Sequence, residues 1–197
     1  GVMLTHHNII SNIKSTDRGK YFDLIDGDRT LSFLPLCHIY ERTTIYIYLF
    51  CRASTYYAES METIADNIRE VQPTMFTSVP RLLEKIYDKI MAKGNELRGI
   101  KRTLFFGAIE FGLNYDPMKK LGLIDSLKLG LYRKLIFSKW KEALGGEVHT
   151  IASGAAALNP NLARIFAGAG INVQEGYGLT ETSPVLTVNL PTGAGHK

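Results

Sequence analysis

The alternation of short apolar runs with longer amphipathic segments is the sequence feature that most constrains the fold. Runs with the length and composition of strands lie at 30–36, 54–58, 74–79, 147–152 and 172–175. Segments of helical pattern lie at 8–14, 38–50, 62–71, 81–93, 100–113, 127–144 and 159–169. Neighbouring parallel strands need a crossover connection, usually a helix. The order therefore predicts an α/β fold, a doubly wound and mostly parallel sheet flanked by helices. The last residues, 195–197, are expected to form a loop.

Composition indicates a soluble globular protein. Hydrophobic residues make up 45% of the 197 residues, and 23 basic against 19 acidic residues leave a net charge of +4. Basic residues form only small groups, such as Lys119–Lys120 and 139–141, so no nucleic-acid partner is expected. The small positive excess is compatible with an anionic small molecule or with a membrane surface, and it does not choose between them.

The cysteines and the most apolar stretch bear on the cellular compartment. Cys37 and Cys51 both lie in apolar surroundings, which predicts two buried free thiols in a reducing compartment. The stretch 43–58 contains Arg52 and is too short to span a bilayer. No signal-peptide pattern opens the sequence. We therefore expect a cytoplasmic protein. Aromatic side chains within 45–57 could give peripheral contact with the inner face of a membrane, although their burial is favoured.

Three segments fall where a doubly wound sheet binds its ligands, at the carboxyl ends of the strands. They are 34–38, 153–158 and 176–182. The strands before the last two segments are sequential along the chain. These two segments should therefore lie side by side and could hold a flat ligand between them.

Segment 176–182, with the sequence GYGLTET, has groups suited to a nucleotide. Gly176 and Gly178 allow close approach of the backbone to a ligand. Tyr177 offers a flat face for a nucleobase, and Thr180 a hydroxyl for a phosphate oxygen. Glu181 is a hard oxygen ligand suited to Mg²⁺. The structural alternative is a tight turn in which Tyr177 packs on the core and Thr180 caps a helix.

The other two segments are less specific. Small residues at 153–157 permit a ring to come near, but they equally permit close helix packing. Asn159 is expected to cap the following helix, with Pro160 at its first position. His38 is more typical of a core or cap histidine than of a ligand, and Glu41 and Arg42 could pair at the surface. The histidines have no spacing typical of a metal site.

Four stretches together resemble one enzyme family. GYGLTET at 176–182 is similar to the signature of the adenylate-forming (AMP-binding) enzymes. GVMLTH at 1–6 resembles the tail of that family's phosphate loop. LPLCHIYER at 34–42 and SVPRLLEK at 78–85 resemble its long-chain fatty acid–CoA ligase branch. Ordered matches across the whole chain are far more specific than any single motif.

The resemblance implies a reaction in two steps. A fatty acid attacks ATP to give an acyl-adenylate and pyrophosphate, and the thiol of coenzyme A then displaces AMP. Tyr177 would stack on adenine, with Gly154, Ala155 and Ala156 on its other side. Gly176, Gly178 and Leu179 would lie along the nucleotide. The resemblance implies catalytic roles for Thr180 at the phosphate, Glu181 at Mg²⁺ and His38 beside the acyl carboxylate.

The sequence departs from the family pattern at two positions, and it lacks family segments expected before its first and after its last residue. Ala155 and Ala157 stand where the family commonly has a glycine and a proline. The phosphate loop would precede Gly1, and the C-terminal domain with its catalytic lysine would follow Lys197. We therefore expect 1–197 to be part of an N-terminal AMP-binding domain that is inactive by itself.

Two other functions stay open at this point. One is a non-catalytic nucleotide- or acyl-binding module. The other is an adenylating enzyme for aryl or amino acids, against which the stretches at 34–42 and 78–85 argue.

Overall fold

A computed structural model describes residues 1–16, 22 and 24–189. Within these residues the chain forms a six-stranded sheet with the order β2-β1-β3-β4-β5-β6. The strands are β1 Arg29–Ser32, β2 Ser54–Tyr57, β3 Met75–Ser78, β4 Thr150–Ser153, β5 Asn172–Gly178 and β6 Val185–Val188. The pairs among β1 to β5 are parallel, and β6 pairs antiparallel with β5. The predicted mostly parallel sheet is thus confirmed, whereas the loop predicted at 195–197 lies outside the described residues.

Eight α-helices accompany the strands in the described part of the chain. They are α1 His6–Ser15, α2 Ile39–Phe50, α3 Ile64–Val71, α4 Pro80–Glu96, α5 Gly99–Leu113, α6 Leu123–Tyr132, α7 Ser138–Ala143 and α8 Pro160–Gly168. Proline opens α4 and α8, where a missing N–H costs nothing. The Asn159 side chain accepts a hydrogen bond of 2.9 Å from the backbone N–H of Asn161, which confirms the predicted cap.

Adjacent residues of the central strands serve two separate cores, because side chains alternate across a sheet. Phe76 and Ile151 belong to the larger core, which includes residues of α3, α4, α5, α7 and α8. Their neighbours Met75 and Ala152 belong to the smaller core with residues of α1 and α2. Helices therefore cover both faces of the sheet, which is the doubly wound arrangement.

Several element boundaries differ from the sequence prediction for local reasons. The strand predicted at 30–36 ends at Ser32, and a turn follows in which the His38 N–H donates to the Pro35 carbonyl at 3.0 Å. The helix predicted at 127–144 begins at Leu123 and passes through a π-helical turn, Arg133–Phe137, into α7. The strand predicted at 147–152 starts only at Thr150.

The predictions of burial for the cysteines and for the 45–57 aromatics need correction. Cys51 is buried as predicted, but Cys37 is exposed because it lies in the turn before α2. Tyr48 is buried, whereas the other aromatic residues of this stretch, Tyr46, Phe50, Tyr56 and Tyr57, are exposed. No helix in the described part of the chain has the length and apolar character needed to cross a membrane.

Candidate functional site

One cleft of about 500 Å³ opens at the carboxyl ends of the parallel strands. Its lining comes from the loop after β1, the start of α2, the end of β3, the loop after β4, and β5 with the turn that follows. The lining residues are Leu34, Pro35, His38, Ile39, Tyr40, Glu41, Val79, Gly154, Ala155, Gly176, Tyr177, Gly178, Leu179, Thr180, Glu181, Pro184 and Val185. Every predicted site residue except Ala156 is among them. Ala156 lines an adjoining cavity of about 700 Å³, to which Ala155 and Tyr177 also contribute.

The two glycine-containing segments lie side by side, as expected. Ser153 at the end of β4 pairs with Glu175 of β5 in the parallel ladder. The segment after β4 therefore starts level with the last residues of β5. The strand predicted at 172–175 is longer than expected, since β5 continues to Gly178 and pairs with β6.

Tyr177 extends into solvent at the wall that the two cavities share. Its exposed fraction is 63%, and its backbone pairs with Thr187 of β6. The alternative in which this ring packs on the core is therefore wrong. The strand holds the backbone of Tyr177, and the exposed phenol ring offers a flat surface to the cleft.

Gly154 makes room for the ring of Tyr40 beneath the loop after β4. A Cβ atom at position 154 would lie 2.9 Å from Cζ of Tyr40. The Tyr40 hydroxyl donates a hydrogen bond of 3.1 Å to the Ala152 carbonyl. Burial, with a smaller contribution from the Glu41 carboxylate, raises the pKa of Tyr40. The ring is therefore a neutral support under the loop.

Ala155 adopts a backbone conformation that favours glycine. Its φ is +68°, in the left-handed region where a Cβ atom is strained. Ala155 is exposed and lines both cavities. The loop thus keeps a glycine-like turn despite the alanine at this position.

The two glycines of β5 lack side chains for different reasons. A Cβ atom at Gly178 would lie 1.8 Å from the Pro184 carbonyl oxygen, so β6 could not approach. At Gly176 the nearest atom would be the Ser153 carbonyl oxygen at 4.0 Å. Gly178 is thus required by strand packing, whereas Gly176 leaves the backbone open to the cleft.

Thr180 and Glu181 lie at the rim of the cleft, in a 3₁₀ turn that spans Thr180–Thr182. The turn is fixed by Thr182, whose hydroxyl accepts a hydrogen bond of 2.9 Å from the Leu179 N–H. Thr180 is the first residue of this turn and does not cap it. Both Thr180 and Glu181 are exposed, and no ion pair among the described residues involves Glu181.

His38 presents its side chain to the cleft. The residue precedes α2 as its N-cap, but the ring makes no capping hydrogen bond, and the residue is exposed. The interpretation as a core histidine is therefore wrong, whereas the predicted cap position is confirmed for the backbone, without a capping hydrogen bond from the ring. Around it, Leu34, Pro35, Ile39 and Val79 give this side of the cleft an apolar lining.

Glu41 is the residue of the site that sequence reasoning missed. Its exposed fraction is 0%, and its carboxylate accepts hydrogen bonds from Ser32 Oγ at 2.5 Å and Thr77 Oγ1 at 2.6 Å. The expected surface pair with Arg42 is wrong, since Arg42 Nε donates to the Leu36 carbonyl at 3.2 Å. Burial raises the pKa of Glu41, and the two hydrogen bonds partly oppose that shift.

A periodicity signal could have found Glu41. It lies four and seven residues before Ile45 and Tyr48, the spacing of one helix face, and both of these are buried. A carboxylate on the buried face of a helix requires hydrogen-bond donors nearby.

The sequence matches the family model described as AMP-binding enzyme over residues 1–196. The chain belongs to the AMP-binding enzyme family. Among curated relatives of this AMP-binding chain, long chain acyl-CoA synthetase 6, peroxisomal, of Arabidopsis thaliana is 35% identical over 190 residues, 95% of the chain. Long-chain-fatty-acid–CoA ligase 5 of Mus musculus is 34% identical over 203 residues, covering the whole chain. The match covers 26% of the first relative and 29% of the second.

Solved structures of similar fold support the same architecture for this AMP-binding chain. The adenylation domain of the carboxylate reductase from Mycobacterium chelonae has a TM-score of 0.64 and 20% identity, covering 91% of the chain and 24% of that structure. The Mycobacterium tuberculosis fatty acyl CoA synthetase has a TM-score of 0.60 and 18% identity, covering 100% of the chain and 30% of that structure.

Proposed function

We propose that the chain is the nucleotide-binding part of a long-chain fatty acid–CoA ligase. Such an enzyme would activate a fatty acid with ATP to an acyl-adenylate and transfer the acyl group to coenzyme A. The observation that carries the proposal is the exposed Tyr177 ring in one cleft with the small-residue loop after β4. The names of the relatives at 34–35% identity support the long-chain substrate.

The proposed nucleotide contacts follow the geometry of the cleft. Adenine would stack on Tyr177, with Gly154, Ala155 and Ala156 around the other side. The backbone at Gly176, Gly178 and Leu179 would lie along the nucleotide, although Gly178 also serves strand packing. Thr180 would donate its hydroxyl to a phosphate oxygen.

Glu181 is the proposed protein ligand of Mg²⁺. The described residues contain no cluster of three or more potential metal ligands, so an ion here would take at most two such ligands from this part of the chain. This fits Mg²⁺, which keeps several waters and is held by one or two carboxylates and substrate phosphates. When bound, the ion would neutralise phosphate charge.

The acyl carboxylate is proposed to lie near His38, at the apolar side of the cleft. Leu34, Pro35, Ile39 and Val79 would pack against the first carbons of the chain. Holding the carboxylate and the α-phosphate in line would provide much of the rate enhancement, because positioning and charge stabilisation dominate such transfers.

We further propose that residues 1–197 form part of an N-terminal domain and complete neither half-reaction alone. The partial coverage of the relatives supports this proposal. A cytoplasmic location, with peripheral contact to a membrane, belongs to the same proposal. ATP–pyrophosphate exchange by purified 1–197 should be undetectable, and measurable exchange would contradict the inactivity.

Nucleotide binding by the full-length polypeptide tests whether the exposed Tyr177 ring stacks on adenine. Tyr177→Ala should weaken AMP binding about tenfold in calorimetry, since base stacking contributes about 1–3 kcal/mol. The matched control is Tyr57→Ala, which removes an equally exposed tyrosine on β2 and should leave AMP affinity unchanged. Equal affinities for both variants would refute the stacking role.

Turnover of acids from acetate to oleate by the same polypeptide tests the substrate class. We expect preference for long chains. Preference for aryl or amino acids would favour the other type of adenylating enzyme, and binding without turnover would favour a non-catalytic module.

A further inference from the structure

Helix α6 and its continuation expose a row of leucines to solvent. Leu123, Leu127, Leu131 and Leu135 follow at intervals of four residues and are exposed by 87%, 76%, 48% and 46%. Ile124 beside them is 71% exposed. Residues four apart lie on one side of a helix. We call these five side chains the leucine row.

The helix that carries the leucine row is fixed to the protein by its opposite side. Leu129, Phe137 and Trp140 are buried, and the last two belong to the larger core. Arg133 donates a hydrogen bond of 2.9 Å to the Gly168 carbonyl at the end of α8. The helix is therefore fixed against the core, and the leucine row lies on its solvent-exposed side.

The segment that carries this row has a positive net charge. Residues 116–142 contain seven basic and three acidic residues, a net charge of +4 that equals the net charge of the whole chain. Lys119 and Lys139 pair with Asp116 and Glu142. Lys128 and Lys134, next to the row, take part in no ion pair among the residues described.

We propose that this surface docks on an anionic lipid bilayer. The leucine row would enter the boundary between headgroups and acyl chains, with Lys128 and Lys134 at the anionic headgroups. Interfacial helices combine apolar insertion with attraction of Lys and Arg to anionic lipid in this way. A second copy of the chain would bring the same positive charge to the interface, so it fits the surface less well. This proposal specifies the surface for the peripheral membrane contact proposed above, and it does not depend on the ligase activity.

Vesicle co-sedimentation of the full-length polypeptide tests the proposal. Vesicles of phosphatidylcholine with about a third phosphatidylglycerol should bind it at least tenfold better than phosphatidylcholine alone, on the basis of about 1 kcal/mol for each basic residue near the surface. The double variant Leu127→Glu, Leu131→Glu should lose binding at least tenfold. Lys128→Gln should weaken it on the order of fivefold. Unchanged binding in the leucine variant would overturn the proposal.

A matched control distinguishes this surface from the exposed aromatic residues of 45–57. The double variant Tyr56→Glu, Tyr57→Glu places the same two negative charges at exposed residues of β2 and should leave vesicle binding unchanged. Loss of binding in this variant alone would assign membrane contact to the β2 region and overturn the proposal.

Two further results would also overturn it. In a Cys37→Ser background, a Leu127→Cys variant should react with a maleimide in the native protein. Protection until denaturation would mean that another segment of the polypeptide covers the row. A dimer in sedimentation velocity that the leucine double variant abolishes would assign the row to a second copy.

Discussion

The Thr77 hydroxyl donates a hydrogen bond of 2.6 Å to Oε2 of Glu41 and so connects α2 to β3 beneath the cleft. Ser32, the last residue of β1, donates to the other carboxylate oxygen. Because β1 and β3 are neighbours in the sheet, one side chain fixes two strand ends and the first turn of α2. The loop that carries His38 leads directly into this turn.

Glu41→Ala should destabilise the protein by about 3 kcal/mol, because two hydroxyls would lose their partner in a buried site. Glu41→Gln should cost about 1 kcal/mol, since the amide can still bond to both hydroxyls. Urea unfolding monitored by circular dichroism measures both values. Equal losses in the two variants would show that the hydrogen bonds contribute little.

The stability contributed by Glu41 should fall as the pH rises. Burial raises the pKa of this carboxyl above its ordinary value of 4.5, so the folded state holds the proton more tightly than the unfolded state. The contribution is complete below pH 4.5 and decreases as the pH rises through the folded-state pKa. Urea unfolding across this range should show a slope that Glu41→Gln reduces, and identical slopes would contradict the prediction.

The sheet and the position of the cleft could be predicted from sequence because they depend on local patterns. Apolar runs separated by helices specify parallel strands, and parallel strands place the following loops at one edge. This reasoning places segments 153–158 and 176–182 at that edge. The exposure of Tyr177 could not be derived from the pattern. The sequence Gly-Tyr-Gly is compatible both with the end of a strand that exposes the ring and with a turn that buries it.

The features that sequence reasoning missed depend on contacts between distant segments. Gly178 is required by the carbonyl of Pro184, the residue before β6, and Gly154 by the ring of Tyr40 from α2. Burial of Glu41 depends on hydroxyls contributed by β1 and β3. Contacts of this kind form only when segments distant in the sequence are brought together by the fold.

Ala155→Gly should stabilise the protein by about 0.5–1 kcal/mol. The substitution removes the strain of an alanine in the left-handed region, which costs about 1–2 kcal/mol. Part of this gain is offset because glycine has greater conformational freedom in the unfolded chain. Thermal unfolding measures the effect. The matched control is Ala156→Gly, where no positive φ is relieved and a loss of up to about 1 kcal/mol is expected. A loss at both positions would argue against strain at Ala155.

Alanine substitutions at the two glycines of β5 should have different effects, on stability at Gly178 and on ligand binding at Gly176. Gly178→Ala should destabilise the protein by about 3 kcal/mol or more, because its Cβ would overlap the Pro184 carbonyl oxygen and displace β6. Gly176→Ala has room for its Cβ and should cost about 1 kcal/mol or less, yet it should weaken AMP binding by narrowing the cleft. Thermal unfolding and calorimetry with AMP on the same samples measure both effects. If Gly176→Ala bound AMP as well as the unmodified protein, the nucleotide would lie away from this part of β5.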